Sequence, residues 1–239
     1  MELLNPENIT MAGKISESNR HPGRLIVFEG ADGCGKTTQL QRLYEWLSQK
    51  PFPSAPSKIC RTNEPGSTAL GQQLRNILLT PTCEDQIVPT AELLLYAADR
   101  AQHVQVKLLP KLKQGEWILC DRYCDSTVAY QGFGRGLELS LIEQLNHIAT
   151  SGLASDLTLW LDLPVEETLA RLQRRGSPDR MERDGLTFLH RVHNGFQWLA
   201  KRHGDRIVCI DASGDEAIVA SRIQTAVLQR FAPENLPLQ

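Results

Sequence analysis

The sequence predicts an α/β fold, a five-stranded parallel sheet flanked by helices. Two patterns predict it. Short apolar runs, several of them ending in a carboxylate, recur along the chain, and each is separated from the next by sequence of helical periodicity. Apolar strands alternating with helices specify a parallel sheet covered on both faces.

The first strand is Leu25-Ile-Val-Phe-Glu29, followed by glycines and a helix-forming stretch over residues 37–49. Three prolines in Lys50-Pro-Phe-Pro-Ser-Ala-Pro-Ser57 remove amide donors and fix φ, so this stretch cannot continue the helix and is expected to be a surface connection. Residues 58–62 read as a second strand. Leu70, Leu74, Ile77 and Leu78 recur at helical spacing, and a longer amphipathic run over residues 90–113 follows a proline break at Pro81. Trp117-Ile-Leu-Cys-Asp121, Leu157-Thr-Leu-Trp-Leu-Asp162 and Arg206-Ile-Val-Cys-Ile-Asp211 supply the remaining strands. Ligands on such sheets bind at the carboxyl ends of the strands, where Glu29, Asp121 and Asp162 fall.

With 239 residues the chain fits one domain, residues 24–232, without needing a second to explain its core. Residues 1–23 and 233–239 are polar and aperiodic, and are expected to be a frayed extension and a flexible tail. A formal net charge of −2 offers no basis for a nucleic-acid-binding surface. No apolar run has the length of a membrane span, and the opening residues lack the apolar segment of a secretory signal. The six cysteines include no CxxC pair, and one lies inside a glycine-rich loop where a crosslink would obstruct it, so they read as reduced thiols in a cytoplasmic protein.

That loop, Gly30-Ala31-Asp32-Gly33-Cys34-Gly35-Lys36-Thr37-Thr38, satisfies GxxxxGK[ST] between a strand and a helix. Glycines let backbone amides converge on phosphate oxygens, and the helix dipole points its positive end at the same anion. Lys36 is expected to reach the β- and γ-phosphates of ATP, and the Thr37 hydroxyl to ligate Mg²⁺. The fold is then of the P-loop NTPase type. The loop argues for nucleotide binding without fixing the reaction. No guanine-reading Asn-Lys-x-Asp occurs. Instead Arg171, Arg174, Arg175, Arg180 and Arg183 cluster around Gly176 and Pro178. A cluster of this kind is either a solvated basic face or a mobile lid that closes over the triphosphate, excludes water and brings guanidinium charge to the transferring group.

Five segments together resemble the thymidylate kinase family, bacterial type: residues 28–38, Asn63-Glu-Pro-Gly-Ser-Thr68, Tyr96-Ala-Ala-Asp-Arg100, Asp121-Arg-Tyr123 and Ser126-Thr-Val-Ala-Tyr-Gln-Gly132. The resemblance runs from about residue 25 to 230. It implies a homodimer that uses ATP with Mg²⁺ and phosphorylates dTMP to dTDP. Position by position it implies that Asp32 receives the sugar hydroxyl, Tyr96 stacks on thymine and Arg100 hydrogen-bonds the base carbonyl. It gives Arg122 the acceptor phosphate, for which a planar two-donor fork is well suited. Asp121 is placed near Mg²⁺ and the phosphates. Ser126, Thr127 and Tyr130 resemble the residues that read the base edge and crowd the 2′ position.

Two departures stand out. Asn63 occupies a position where many bacterial members carry an arginine, for which Arg61 and Arg75 are the substitutes in reach. Gly33 and Cys34 occupy positions where some eukaryotic members place a catalytic arginine, which shifts that role to the lid, to Arg174, Arg175 or Arg180. His190 and His193, three apart on a helix, have no further ligand in register and are not read as a metal pair.

Overall fold

The computed structural model describes residues 21–80, 86–176 and 185–232. In chain order they form β1 (Leu25–Glu29), α1 (Lys36–Ser48), β2 (Ile59–Asn63), α2 (Ala69–Leu79), α3 (Pro89–His103), α4 (Leu109–Lys113) and β3 (Trp117–Asp121). There follow α5 (Cys124–Thr127), α6 (Leu139–Thr150), β4 (Leu157–Asp162), α7 (Val165–Arg175), α8 (Gly185–Arg202), β5 (Ile207–Asp211) and α9 (Glu216–Phe231). Two π-helical segments, Val104–Leu108 and Val128–Gly134, join α3 to α4 and extend α5.

All four strand pairings are parallel, and the order is β2-β3-β1-β4-β5. The all-apolar strands follow from this: Leu25, Ile26, Val27 and Phe28 have no exposed surface, because helices cover both sheet faces. One face carries Leu43 and Leu47 of α1 with Val219, Ile223 and Val227 of α9, packed on Ile26, Phe28 and Leu159. On the other, Val104, Leu108 and Leu112 pack on Leu25, Val27 and Ile118. Tyr130 and Trp160 join Phe188, Val192 and Phe196 of α8 in a further cluster.

Two elements differ from the sequence reading. The run over residues 90–113 is not a uniform α-helix. Pro110 has no amide hydrogen to donate, and the π-helical turn before it resets the register so that the proline falls in the first turn of α4, where a missing donor costs nothing. The proline-rich stretch after α1 is not only a surface connection. Phe52 is buried beside Trp46 and Trp117, with ring centroids 6.0 and 6.3 Å away. An aromatic side chain between prolines found a core position that a backbone argument could not foresee.

Gly23, placed in the terminal extension by the sequence, donates its amide to Leu112 at 3.0 Å. The rest of that extension, residues 1–20, and the tail from 233 lie outside the described residues.

Candidate active site

The loop between β1 and α1 is built for an anion. Gly35 takes φ 98°, a left-handed conformation that glycine adopts without strain, and there α1 begins. No side chain caps this helix and no acidic residue sits in its first turn, so its leading amides are not taken up by a capping side chain. Lys36 is buried and folds back over the loop, its ammonium donating to the carbonyls of Gly30 at 3.1 Å and Ala31 at 2.8 Å. Cys34 lies beneath, buried, and burial pushes its thiol above the ordinary range, so it is an inert packing group in the loop.

Thr37 donates its hydroxyl to Asp121 Oδ2 at 3.2 Å. The other Asp121 oxygen is buried without a hydrogen-bond partner. A hydroxyl and a half-satisfied carboxylate at the mouth of a phosphate loop form the hard-oxygen donor set that Mg²⁺ prefers, so these two residues fit that ion.

Beside the loop lies a cavity lined among others by Asp32, Tyr96, Arg100, Arg122, Tyr130 and Gln131. Ser126 and Thr127 also line it, so every residue that the resemblance assigned to the acceptor is brought to one place. Arg122 is the hub. Its Nη2 donates to Asp32 Oδ1 at 2.7 Å and to the Tyr130 hydroxyl at 3.2 Å, and its Nη1 donates to Ser126 Oγ at 2.9 Å. The Tyr130 hydroxyl donates to Asp32 Oδ2 at 3.3 Å. Burial alone would raise the Asp32 pKa, but the neighbouring Arg122 and Lys36 outweigh it and hold the carboxyl well below its usual range. Asp32 is therefore an anion suspended between the two cations, 3.8 Å from the Lys36 ammonium on one side and paired with Arg122 on the other.

Arg100 is far from a solvated partner of Tyr96. It is almost wholly buried, and four of its five N–H groups go to Glu64, Thr127, Asn146 and the Tyr123 carbonyl at 2.7–2.9 Å. Glu64 in turn meets His103 at 2.8 Å, and His103 meets Thr62 at 2.7 Å. A side chain tied on so many sides presents its remaining N–H to the cavity in a fixed direction.

Sequence reasoning missed Gln131. Its amide nitrogen donates to the buried Glu92 at 2.7 Å, which fixes the amide's orientation at the cavity wall. The signal, a glutamine within the resembling segment and a glutamate in α3, is a long-range pairing that no local pattern carries.

At Asn63 the side chain builds a turn, donating to the Pro65 carbonyl at 2.8 Å and accepting from Ser67 at 3.2 Å. Of the two substitutes, Arg61 lies over the Tyr44 ring, 4.5 Å from its centroid, whereas Arg75 lines the acceptor cavity and donates to the Pro65 carbonyl at 2.9 Å. Of the arginine cluster, Arg171 pairs with Glu167 at 2.6 Å and Arg174 donates to Ala170 at 3.3 Å, both on their own helix. Side chains of α7 nonetheless face the loop, with Leu172 and the Arg171 stem near Gly33. Arg175 ends α7, and Arg180 and Arg183 lie outside the described residues. His193 is bonded to Asp162 at 2.8 Å, which turns that carboxylate toward α8, and no cluster able to hold a metal through three His, Cys, Asp or Glu side chains occurs among the described residues.

A family model described as thymidylate kinase matches residues 28–223. The chain belongs to the thymidylate kinase family. It is 54% identical over 222 residues to the thymidylate kinase of Cyanothece sp., a match covering 87% of this chain and 95% of that protein. It is 49% identical over 218 residues to that of Trichodesmium erythraeum, covering 87% and 96%. Among solved structures, the thymidylate kinase of Ehrlichia chaffeensis superposes with a TM-score of 0.68 at 31% identity, covering 86% of this chain and 98% of that one.

Proposed function

We propose that the chain transfers the γ-phosphoryl group of ATP to dTMP, giving ADP and dTDP. The observation that carries the reading is Asp32: one carboxylate within 3.8 Å of Lys36 and 2.7 Å of Arg122, at the wall shared by phosphate loop and acceptor cavity. Phosphoryl transfer needs donor and acceptor held in line with their charge neutralised, and little covalent help. Lys36 and the amides of residues 30–38 hold the ATP phosphates. Thr37 and Asp121 hold Mg²⁺, which neutralises charge on the phosphates when bound.

On the acceptor side Arg122 grips the dTMP phosphate, with Arg75 in the place of the arginine that Asn63 lacks. Asp32 receives the 3′-hydroxyl. Tyr96 stacks on the thymine, and its polar edge is met by Arg100, Thr127 and Gln131. The Tyr130 ring, packed edge-on against Phe188 and Phe196, has no room to move aside for a ribose 2′-hydroxyl, which favours deoxynucleotides. Lid arginines, Arg174, Arg175 or Arg180, complete the cage in this reading.

The protein acts as a homodimer in the cytoplasm in this reading. Exposed apolar residues on α2, α3 and α6 support the first part, and Cys34, Cys60, Cys120, Cys124 and Cys209, all free thiols, support the second. Among the described residues no helix is long and apolar enough to cross a membrane.

The test is ADP release with dTMP, dUMP and thymidine as acceptors. dTMP is expected to lead, with dUMP behind by a factor that a single methyl contact allows, about 10- to 200-fold. Thymidine outperforming dTMP would overturn the choice of acceptor. Lys36→Ala is expected to lower kcat by at least about 10²-fold with the fold intact, and a near-normal rate would remove the mechanism.

A further inference from the structure

We propose that Glu29 is a positioning residue for the acceptor: through Ser126 and the backbone of the turn after β3, it holds Arg122 where it meets the acceptor's phosphate. Glu29 ends β1 with no exposed surface and is not among the residues lining the acceptor cavity, so any effect it has on the acceptor runs through other groups.

All its hydrogen bonds go to one turn. Oε1 accepts from the amides of Tyr123 at 2.9 Å and Ser126 at 3.1 Å, and Oε2 accepts from Ser126 Oγ at 2.5 Å. The same Ser126 oxygen accepts from Arg122 Nη1 at 2.9 Å. A continuous chain therefore links a buried carboxylate to the guanidinium: Glu29, Ser126, Arg122, Asp32.

The backbone argues in the same direction. Arg122 has φ 70°, a left-handed conformation in which a residue with a side chain stays only when its surroundings hold it. Two consecutive residues of β1 do so. The Phe28 carbonyl accepts the Arg122 amide at 2.9 Å, and Glu29 accepts the next amide.

A buried carboxyl is costlier than a neutral amide, but an amide has a single acceptor oxygen where two amides and a hydroxyl here call on two. Burial pushes the Glu29 carboxyl up to about 7 and Asp125 adds to the rise, while Arg122, a cation reached through one serine, favours the ionised form. Asp125, the other carboxylate nearby, is engaged by Arg206 at 2.7 and 2.8 Å. A glutamine at position 29 would present N–H where Ser126 now donates, turn the serine hydroxyl and release Arg122 from the chain.

This inference rests on the reading that Arg122 binds the acceptor phosphate, and thymidine, which lacks that phosphate, separates the two. Calorimetric binding of dTMP and of thymidine is compared for the wild-type protein, Glu29→Gln, Ser126→Ala and Arg122→Ala. Glu29→Gln is expected to weaken dTMP about tenfold, the effect of one bond to a charged group, and to leave thymidine unchanged, and Ser126→Ala, at a residue that also lines the cavity, to weaken dTMP more than thymidine. Equal losses for both ligands, or no loss, would overturn the positioning role, since a merely structural residue has no means to single out the phosphate. Should Glu29→Gln fail to fold, Ser126→Ala cuts the same chain, and a larger loss for dTMP than for thymidine decides by the same criterion. Arg122→Ala is expected to abolish the preference for dTMP over thymidine. If it keeps that preference, the phosphate reading itself is wrong, whatever the other variants do.

Discussion

Asp99, one residue before Arg100, is buried with Oδ1 accepting from the Gly66 amide at 3.1 Å and Oδ2 without a hydrogen-bond partner among the described residues. Burial raises its pKa to about 6, and the neighbouring Glu64 adds to the rise. An unfolded aspartic acid loses its proton near pH 3.9 or so, roughly two units lower. Between those two values the folded chain binds more protons than the unfolded one, so this group's contribution to stability falls as pH rises and levels off above about pH 6. The full swing is at most about 3 kcal/mol. Asp99→Asn has no proton to lose. Its stability relative to the wild type, measured by urea unfolding, is therefore expected to rise by up to about 3 kcal/mol between about pH 4 and pH 8. A flat difference would mean that Asp99 ionises normally. At this scale the sequence was informative only where a residue belonged to a contiguous motif. Lys36, Thr37 and Asp32 were legible because the loop is local. The buried state of Arg100, the pairing of Gln131 with Glu92 and the cost of Asp99 were not, because each depends on a partner that only the fold brings near.

Elements were more legible than the contacts between them. All five strands and most helices follow from periodicity, since burial on two faces of a sheet or one face of a helix dictates which positions are apolar. The π-helical segments escaped, because a reset of hydrogen-bond register leaves little trace in the spacing of apolar residues. One of them, Val128–Gly134, carries Tyr130 and Gln131 into the cavity and packs along α8. Gly195 of α8 lies directly against that segment. A Cβ there would stand 2.9 Å from Ala129 Cα and 3.0 Å from the Phe133 ring, and the first of these is backbone that cannot swing aside. Gly195→Ala is therefore expected to destabilise the protein by about 1–3 kcal/mol through overpacking, even though alanine favours a helix by up to about 1 kcal/mol. Because the strain is transmitted to the segment bearing Tyr130, the KM for dTMP is expected to rise more than the KM for ATP. Unfolding in urea and the two KM values check both statements, and a stabilised variant would show that the two elements can part without cost.

The whole molecule explains why the loop and the cavity adjoin. With β1 between β3 and β4, the strand ends bearing Glu29 and Asp121 lie side by side at the carboxyl edge of the sheet, and the turn after β3 reaches the loop after β1. The sheet's chemistry is concentrated at one edge, which leaves its helical flanks for other uses. On the flank formed by α2, α3 and α6, which pack on one another through α3, Leu70, Ile77, Leu94, Leu141 and Ile148 are all exposed, Ile148 by 73%. Scattered apolar residues need no explanation, but a set of them on three adjoining helices is the kind of surface that another protein covers. A second copy of the chain is the occupant that the family resemblance implies, and a two-fold contact would set α3, the helix that carries Tyr96 and Arg100, near its mate in the other copy. Ile148→Asp places a charge in that face without touching the core. In sedimentation it is expected to convert a dimer into a monomer, with a free energy cost to association of about 2 kcal/mol or more for a charge buried without a partner. Activity of the monomer toward dTMP is expected to fall with it, because α3 loses its support. A dimer that survives both Ile148→Asp and Leu94→Asp would place the contact on another face of the molecule.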